Sequence, residues 1–184
     1  MRNQKLQHQS RLFVESFSAF LTHMIGLNLL DNRVCRYVKN DGWAKGAVER
    51  TAYELTDEAA LASLRYFIEI LNYSLWGRRT RDKRYSDVCR ILAIPSFEGT
   101  NNGKRRHCHI LLGNVPADKV QDLEKYVADA WAQTKWGMPG VHVQPLYDES
   151  GAAFYTGKEV GFCNDDAIVW QLASIPRRLV RTTA

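Results

Sequence analysis

Two apolar, strand-like segments joined by a short polar turn constrain the fold of this chain most strongly. Val88 to Phe97 and His107 to Val115 are rich in aliphatic residues, and the turn-forming run from Gly99 to Gly103 lies between them. This pattern predicts a β-hairpin. Because proline cannot donate a ladder hydrogen bond, Pro95 predicts an edge position or a bulge near the end of the first strand.

Two amphipathic segments flank the hairpin in the sequence. Apolar residues recur at intervals of three and four from Leu61 to Leu75. This spacing predicts a helix with Thr56 as its N-cap and Gly77 as its end. The second segment follows Pro116 and ends before the turn signal that begins at Gly137. Both are typical of helices that cover a sheet.

The remaining segments complete an alternating order of strands and helices. Val141 to Tyr147 predicts a strand, Asp148 to Val160 a helix-like segment and Ile168 to Ser174 a short late strand. Phe13 to Leu30 fits either a helix or, in its second half, a strand. The order resembles a βαββαβ ferredoxin-like core. We therefore expect an α+β fold with a largely antiparallel sheet, helices on its faces and additions at both termini.

The length of 184 residues predicts a single domain, 1–184. Its core is expected at about 56–176, and the structure of residues 1–55 stays open. No stretch approaches 18 uncharged apolar residues and the first ten residues are polar, so we expect neither a membrane span nor secretion, and a cytoplasmic location. The cysteines match no zinc or redox spacing, and free thiols are expected at Cys35, Cys89, Cys108 and Cys163.

The charge of the chain is unevenly distributed. Residues 76–106 hold nine basic and three acidic residues, whereas residues 107–176 hold four basic and nine acidic ones. The basic run, with Trp76 and Tyr85 interleaved, is typical of a surface that follows the phosphates of a nucleic acid, and equally of a solvated arginine-rich loop. The predicted DNA contacts are Arg78, Arg79, Arg81, Lys83, Arg84, Lys104, Arg105 and Arg106.

Two histidines share one predicted strand. Side chains alternate along a strand, so His107 and His109 face one side while Cys108 faces the core. Glu98 ends the preceding strand of the hairpin and can lie across from them. Two nitrogen ligands and one oxygen ligand would leave coordination positions open on a divalent metal. Such a metal could then act as a Lewis acid on a phosphate oxygen. The alternatives are a hydrogen-bonded surface pair of histidines, and a Glu98 that pairs with a neighbouring arginine, Arg105 or Arg106.

A tyrosine and a lysine stand three residues apart near the C-terminus. If this segment is helical, Tyr155 and Lys158 are neighbours on one face. The cation would lower the pKa of the phenol and could bind a phosphate, so a tyrosine nucleophile with a lysine that orients the phosphate is chemically coherent. A structural tyrosine is the alternative.

Together, Glu98, His107-x-His109 and Tyr155-x-x-Lys158 resemble the motifs of the HUH endonucleases. This family includes rolling-circle replication initiators of plasmids, phages and small viruses, relaxases and some single-strand transposases. The resemblance covers residues 88–160. It implies that the histidines and Glu98 hold Mn²⁺ or Mg²⁺, that Tyr155 attacks a phosphodiester of single-stranded DNA, and that Lys158 assists. The products would be a 5′-phosphotyrosine and a free 3′-OH.

The sequence resembles the single-tyrosine type of this family, because Glu159 stands where a second tyrosine would be. The first motif of the family is matched loosely by the residues from Phe20 to Ile25. Cys108 replaces the usual bulky aliphatic residue, which suggests a competing zinc site formed with the histidines; strand alternation argues against it. No Walker A sequence is present, so a host helicase must unwind DNA.

The resemblance implies a replication initiator that acts on an origin stem-loop or hairpin and hands its 3′-OH to a host polymerase. A relaxase or transposase with the same chemistry is the first alternative, and a noncatalytic nucleic-acid-binding module is the second. Trp76, Trp136 or Tyr85 could stack on exposed bases, whereas Trp131 is assigned to the core. Three further histidines are expected to play no part in the metal site: His8, His23 and His142.

Overall fold

The computed structural model describes residues 4–38, 48–85, 88–99, 106–147 and 168–180, with the backbone alone for 35–38 and 48–50. The predicted helix-like segment 148–160 lies outside these residues. The helices are α1 (Gln4–Glu15), α2 (Asp57–Trp76), α3 (Leu123–Ala132) and α4 (Arg177–Val180). The strands are β1 (Leu21–Leu29), β2 (Asn32–Val38), β3 (Val48–Glu54), β4 (Leu92–Glu98), β5 (His107–Gly113) and β6 (Gly137–Pro145).

Four strands form an antiparallel sheet in the order β4-β5-β1-β6. The strands β2 and β3 pair with each other as a separate two-stranded ribbon. The protein is therefore α+β with a largely antiparallel sheet, as the sequence predicts. The order along the chain, β1-α2-β4-β5-α3-β6 with the ribbon inserted after β1, is compatible with a ferredoxin-like arrangement.

Residues 13–30, which the sequence left open between helix and strand, contain both. The helix α1 ends at Glu15, a 3-10 turn spans Ser18–Phe20, and β1 begins at Leu21. The alternating burial of Ile25, Leu27 and Leu29 fits the strand period of two. Because β1 lies between β5 and β6, the sheet includes residues before position 56. The single domain over residues 1–184 stays a prediction.

The helix α2 begins and ends as its sequence predicts. The Thr56 hydroxyl accepts a hydrogen bond from the Ala59 N–H at 3.2 Å, which caps the first turn. Gly77 follows the last turn with φ at 65°, a backbone conformation that suits glycine. The second predicted helix starts later than expected: a 3-10 turn follows Pro116, and α3 proper begins at Leu123.

The turn predicted at Gly137 is wrong, because β6 already begins there and Gly137 pairs with Leu29. A Cβ at Gly137 would lie 2.5 Å from the Thr134 Oγ1 and 2.7 Å from the Trp131 carbonyl oxygen. The glycine therefore allows β6 to approach the end of α3 closely, which is a packing role and not a turn role.

The late strand predicted at 168–174 is reduced to two isolated bridges, Ser96 with Ile168 and Ala93 with Ser174. A 3-10 turn, Trp170–Leu172, separates them. Both bridges lie on β4, the outer strand of the sheet. The edge position predicted from Pro95 is therefore confirmed, and the Pro95 carbonyl accepts a hydrogen bond from the Val169 N–H at 2.9 Å.

Each face of the sheet has its own apolar cluster. The helices α2 and α3 cover one face, where Phe67 and Trp131 meet edge to face with ring centroids 5.5 Å apart. The other face carries a smaller cluster that includes residues of α1, Leu111 of β5, and Ile168. Among the described residues, no helix is both long and apolar enough to cross a membrane.

We expect Phe67→Ala to lower the free energy of unfolding by about 3–5 kcal/mol, because it leaves a cavity under Trp131. Its sequence neighbour Tyr66 is half exposed, so Tyr66→Ala is the matched control and should change that free energy by about 0.5 kcal/mol or less. Urea unfolding followed by circular dichroism measures both. Equal losses in the two variants would contradict the assignment of Phe67 to the core.

Candidate metal centre

Glu98, His107 and His109 meet on one face of the β4–β5 hairpin. Glu98 is the direct cross-strand partner of His107, and His109 is the partner of Ser96. Directly opposed residues lie on the same face, and residues two apart on one strand share that face. The register of this hairpin therefore places one carboxylate and two imidazoles together, as the sequence predicts.

The two imidazoles approach different oxygens of the same carboxylate. The His107 Nε2 lies 3.3 Å from the Glu98 Oε2, and the His109 Nε2 lies 3.7 Å from the Glu98 Oε1. The two rings are nearly perpendicular, with centroids 5.0 Å apart. One candidate ligand atom from each residue lies within 4.8 Å of the other two, so the three side chains can hold a metal ion.

The burial of this group indicates why a cation fits it. Glu98 is only 5% exposed, and a carboxylate removed from water is costly unless a positive charge or hydrogen bonds compensate it. The His107 side chain keeps 26% of its surface exposed, against 13% for His109. The group is therefore closed around the carboxylate and open at His107. Imidazole nitrogen with carboxylate oxygen suits divalent metals from Mg²⁺ and Mn²⁺ to Zn²⁺.

The arginine next to the histidines does not pair with Glu98. Arg106 donates to the Asp57 Oδ1 at 2.7 Å, at the start of α2. The alternative in which Glu98 pairs with Arg106 is therefore not observed, and Arg105 lies outside the described residues. The Arg106–Asp57 pair ties the start of α2 to the end of the sheet that holds His107.

Cys108 faces away from the two histidines. Its side chain is fully buried on the helix-covered face, in the cluster that includes Ile110 and Leu112. Burial raises the pKa of the Cys108 thiol far above its usual range, so the thiol stays protonated. Strand alternation predicted this orientation. The competing zinc site formed by Cys108 with the histidines is therefore not supported.

A cleft of about 420 Å³ adjoins the metal-ligating group on the side of β1 and β6. Its lining includes His107 and His109, together with Gly26 of β1 and His142 of β6. His142 is not part of the group that can hold a metal among the described residues. Its presence in the cleft was missed, because no local signal in the sequence gives the register between β1 and β6.

The other two histidines lie elsewhere among the described residues. His8 is an exposed residue of α1. His23 is partly buried on β1, where its Nδ1 lies 2.8 Å from the Thr22 hydroxyl, and burial lowers the pKa of its imidazole. Neither residue belongs to the metal-ligating group.

Most of the predicted DNA contacts lie far from this group. The helix α2 starts beside Arg106 and runs for 20 residues, about 30 Å, before the basic run begins. The structure therefore places Arg106 next to the metal-ligating group. The other described residues among the predicted DNA contacts are exposed at the far end of α2: Arg78, Arg79, Arg81, Lys83 and Arg84. Lys104 and Arg105 lie outside the described residues.

The aromatic residues that were considered for base stacking differ in their exposure. Trp136 is 4% exposed, so the prediction that it stacks on bases is wrong, and its ring belongs to the core. Trp131 is also in the core, as predicted. Tyr85 is exposed, with the guanidinium of Arg84 at 5.5 Å from its ring. Trp76 is partly buried and packs against the core cluster.

The predicted nucleophile and its partner, Tyr155 and Lys158, lie outside the described residues, and their roles stay predictions. Comparisons with models of protein families, with curated proteins and with solved structures found no match. What the site can do follows from its own residues and their geometry.

Metal binding gives the first test of this site. A ligand that binds only the folded state stabilises it by about 2.7 kcal/mol at 100 times its Kd. We therefore expect Mn²⁺ to raise the melting temperature of the wild type, and expect His107→Ala, His109→Ala and Glu98→Gln each to remove this rise. His8→Ala is the matched control and should retain it. A rise that persists in all three variants would contradict the assignment of the ligands.

The thiol gives the second test. Cys108→Ala is expected to lower the melting temperature because it leaves a cavity in the core, while the increment produced by Mn²⁺ or Zn²⁺ stays the same. Differential scanning fluorimetry with each metal and with EDTA measures both quantities. An increment lost in Cys108→Ala would place the thiol among the ligands.

Proposed function

We propose that this chain is a metal-dependent endonuclease of the HUH type, which cuts and rejoins single-stranded DNA to initiate rolling-circle replication of a plasmid or phage. The observation that carries the proposal is the convergence of Glu98, His107 and His109 on one face of an antiparallel sheet. A ferredoxin-like topology, with which the strand order is compatible, belongs to the same proposal.

The charge of the site supports an anionic substrate. Glu98 contributes one negative charge and the two imidazoles bind metals in their neutral form. With a divalent ion, Mn²⁺ or Mg²⁺ in this proposal, the site keeps a net charge of about +1, which attracts a phosphodiester. Such an ion would polarise a phosphate oxygen and favour attack on phosphorus. The exposed side of His107 leaves room for the phosphate to approach.

The nucleophile in this proposal is the Tyr155 hydroxyl. Its oxygen attacks phosphorus, the bond from phosphorus to the 3′-oxygen breaks, the phenol loses its proton and the departing 3′-oxygen gains one. The ammonium of Lys158 would stabilise the phenolate and orient the phosphate. Because one phosphate ester replaces another, the 3′-OH can reverse the step and rejoin the strand.

The length of the chain permits this role for Tyr155. Ile168 is bridged to Ser96, two residues before Glu98 on β4. Tyr155 precedes Ile168 by thirteen positions, and an extended chain of that length spans about 43 Å. Tyr155 therefore has ample reach to the metal-ligating group.

The basic residues at the far end of α2 support a longer DNA substrate. A distance of about 30 Å corresponds to roughly nine base pairs of duplex at 3.4 Å each. In this proposal Arg106 lies near the scissile phosphate, and the exposed run from Arg78 to Arg84 contacts flanking DNA, such as the stem of an origin hairpin. A host helicase and polymerase would continue replication from the 3′-OH.

The relaxases and single-strand transposases use the same chemistry, so they share this site and are the alternatives within the proposal. A noncatalytic nucleic-acid-binding module is the alternative outside it. A covalent intermediate separates the two classes, because a binding module forms none.

The decisive experiment uses a labelled pool of single-stranded oligonucleotides with Mn²⁺ or EDTA. We expect the wild type to form a covalent adduct that survives a denaturing gel and requires metal, and we expect Tyr155→Phe to form none, because phenylalanine lacks the attacking oxygen. Tyr147→Phe is the matched control, since Tyr147 is 91% exposed and should be dispensable.

Two results would contradict the proposal. An adduct that persists in Tyr155→Phe would exclude Tyr155 as the nucleophile. A wild type that binds the pool but forms no adduct would favour the binding module.

A further inference from the structure

The cleft beside the metal-ligating group extends across three neighbouring strands, β5, β1 and β6, and passes over a single glycine of β1. Gly26 of β1 is the direct partner of His109 on β5 and of His142 on β6. A Cβ at Gly26 would lie 3.6 Å from the His142 Cβ and 4.0 Å from the His109 Nδ1. A side chain at this position would therefore occupy the space between the two histidines. The glycine leaves a backbone floor there.

This cleft lies on the accessible side of the metal-ligating group. Glu98 lies on the outer strand β4 and is buried, whereas His107 is the more exposed histidine and lines the cleft. A phosphate bound at the group therefore has its neighbouring nucleotide beside or within the cleft. The volume of about 420 Å³ is in the range of small-molecule sites.

The lining suits a flat, heteroaromatic ring. Met24 offers a thioether next to the floor, a group that makes favourable contacts with aromatic rings. The His142 Nε2 lies 3.2 Å from the Gln144 Oε1, and this hydrogen bond orients the imidazole at the edge strand. Asn28 adds an exposed amide that can donate to and accept from the edge of a base.

We propose that the cleft over Gly26 binds the base of a nucleotide next to the scissile phosphate, with His142 as a base-contacting residue. The inference rests on the proposed function and adds Gly26 and His142 to it, of which His142 was predicted to play no part in the metal site. One base, held between Met24 and His142 above Gly26, fixes the position of its phosphate at the metal-ligating group. The cleft would then contribute to the choice of the cut site.

The test uses the oligonucleotide from the pool that forms the adduct, and two altered strands of the same sequence. In one strand the nucleotide on the 5′ side of the cut is abasic, and in the other the nucleotide on the 3′ side is abasic. Base stacking on protein side chains corresponds to roughly 5- to 150-fold per base. We expect the wild type to lose adduct rate by this factor with one of the two abasic strands.

A side chain that fills the cleft should slow adduct formation as much as the missing base does. In such a variant, removal of the base should cause no further loss of rate. Gly26→Val is expected to slow adduct formation on the intact strand and to be insensitive to the missing base. Gly26→Ala is the milder variant, and its Cβ fits at ordinary contact distance, so the fold is retained. His142→Ala should behave like Gly26→Val, with His8→Ala as control, and an unchanged Mn²⁺-induced thermal shift shows that the metal-ligating group is intact.

The outcomes separate this inference from the proposed function. A wild type that is insensitive to both abasic strands, or losses from Gly26→Val and His142→Ala that are equal on intact and abasic strands, would overturn the base-binding cleft alone. A wild type that forms no adduct with any strand would overturn the proposed function and this inference with it.

Discussion

The antiparallel register of β4 and β5 is the constraint on which the rest of the site depends. It pairs Glu98 with His107, and a shift of either strand by one residue would turn its side chains to the opposite face of the sheet. The apolar side chains fix this register, because Cys108 and Ile110 pack under the helices while Leu111 packs on the other face. The buried hydrophobic side chains therefore fix the position of the polar site.

The face that carries the histidines is divided along the strands. At one end Leu111 and its neighbours are covered by residues of α1 and by the chain around Ile168. At the other end the carboxylate is buried, and the space over Gly26 is open. Among the described residues, the metal-ligating group therefore lies between a closed end and an open cleft. In the proposed function, the cleft is the side from which a phosphate and its neighbouring nucleotide reach the group.

Local patterns in the sequence predict the hairpin, the caps of α2, the edge position of Pro95 and the orientation of Cys108, because each depends on neighbours within one element or one turn. Contacts between distant segments are not predictable in this way. The central place of β1, the approach of His142 to Gly26 and the separation of Arg106 from the run Arg78 to Arg84 by the length of α2 depend on strand register and helix direction. Gly137 shows the same limit, because a glycine that is needed for close packing looks the same in a sequence as a glycine that marks a turn.

The central claim is that Glu98, His107 and His109 hold one divalent ion. Crystals grown with Mn²⁺ and measured for its anomalous scattering test this claim most directly. The account predicts a single strong anomalous peak bonded to the Nε2 atoms of both histidines and to the Glu98 carboxylate, with further positions open toward the cleft. Crystals at saturating Mn²⁺ in which the three side chains keep their ion-pair contacts, with no peak between them, would contradict it.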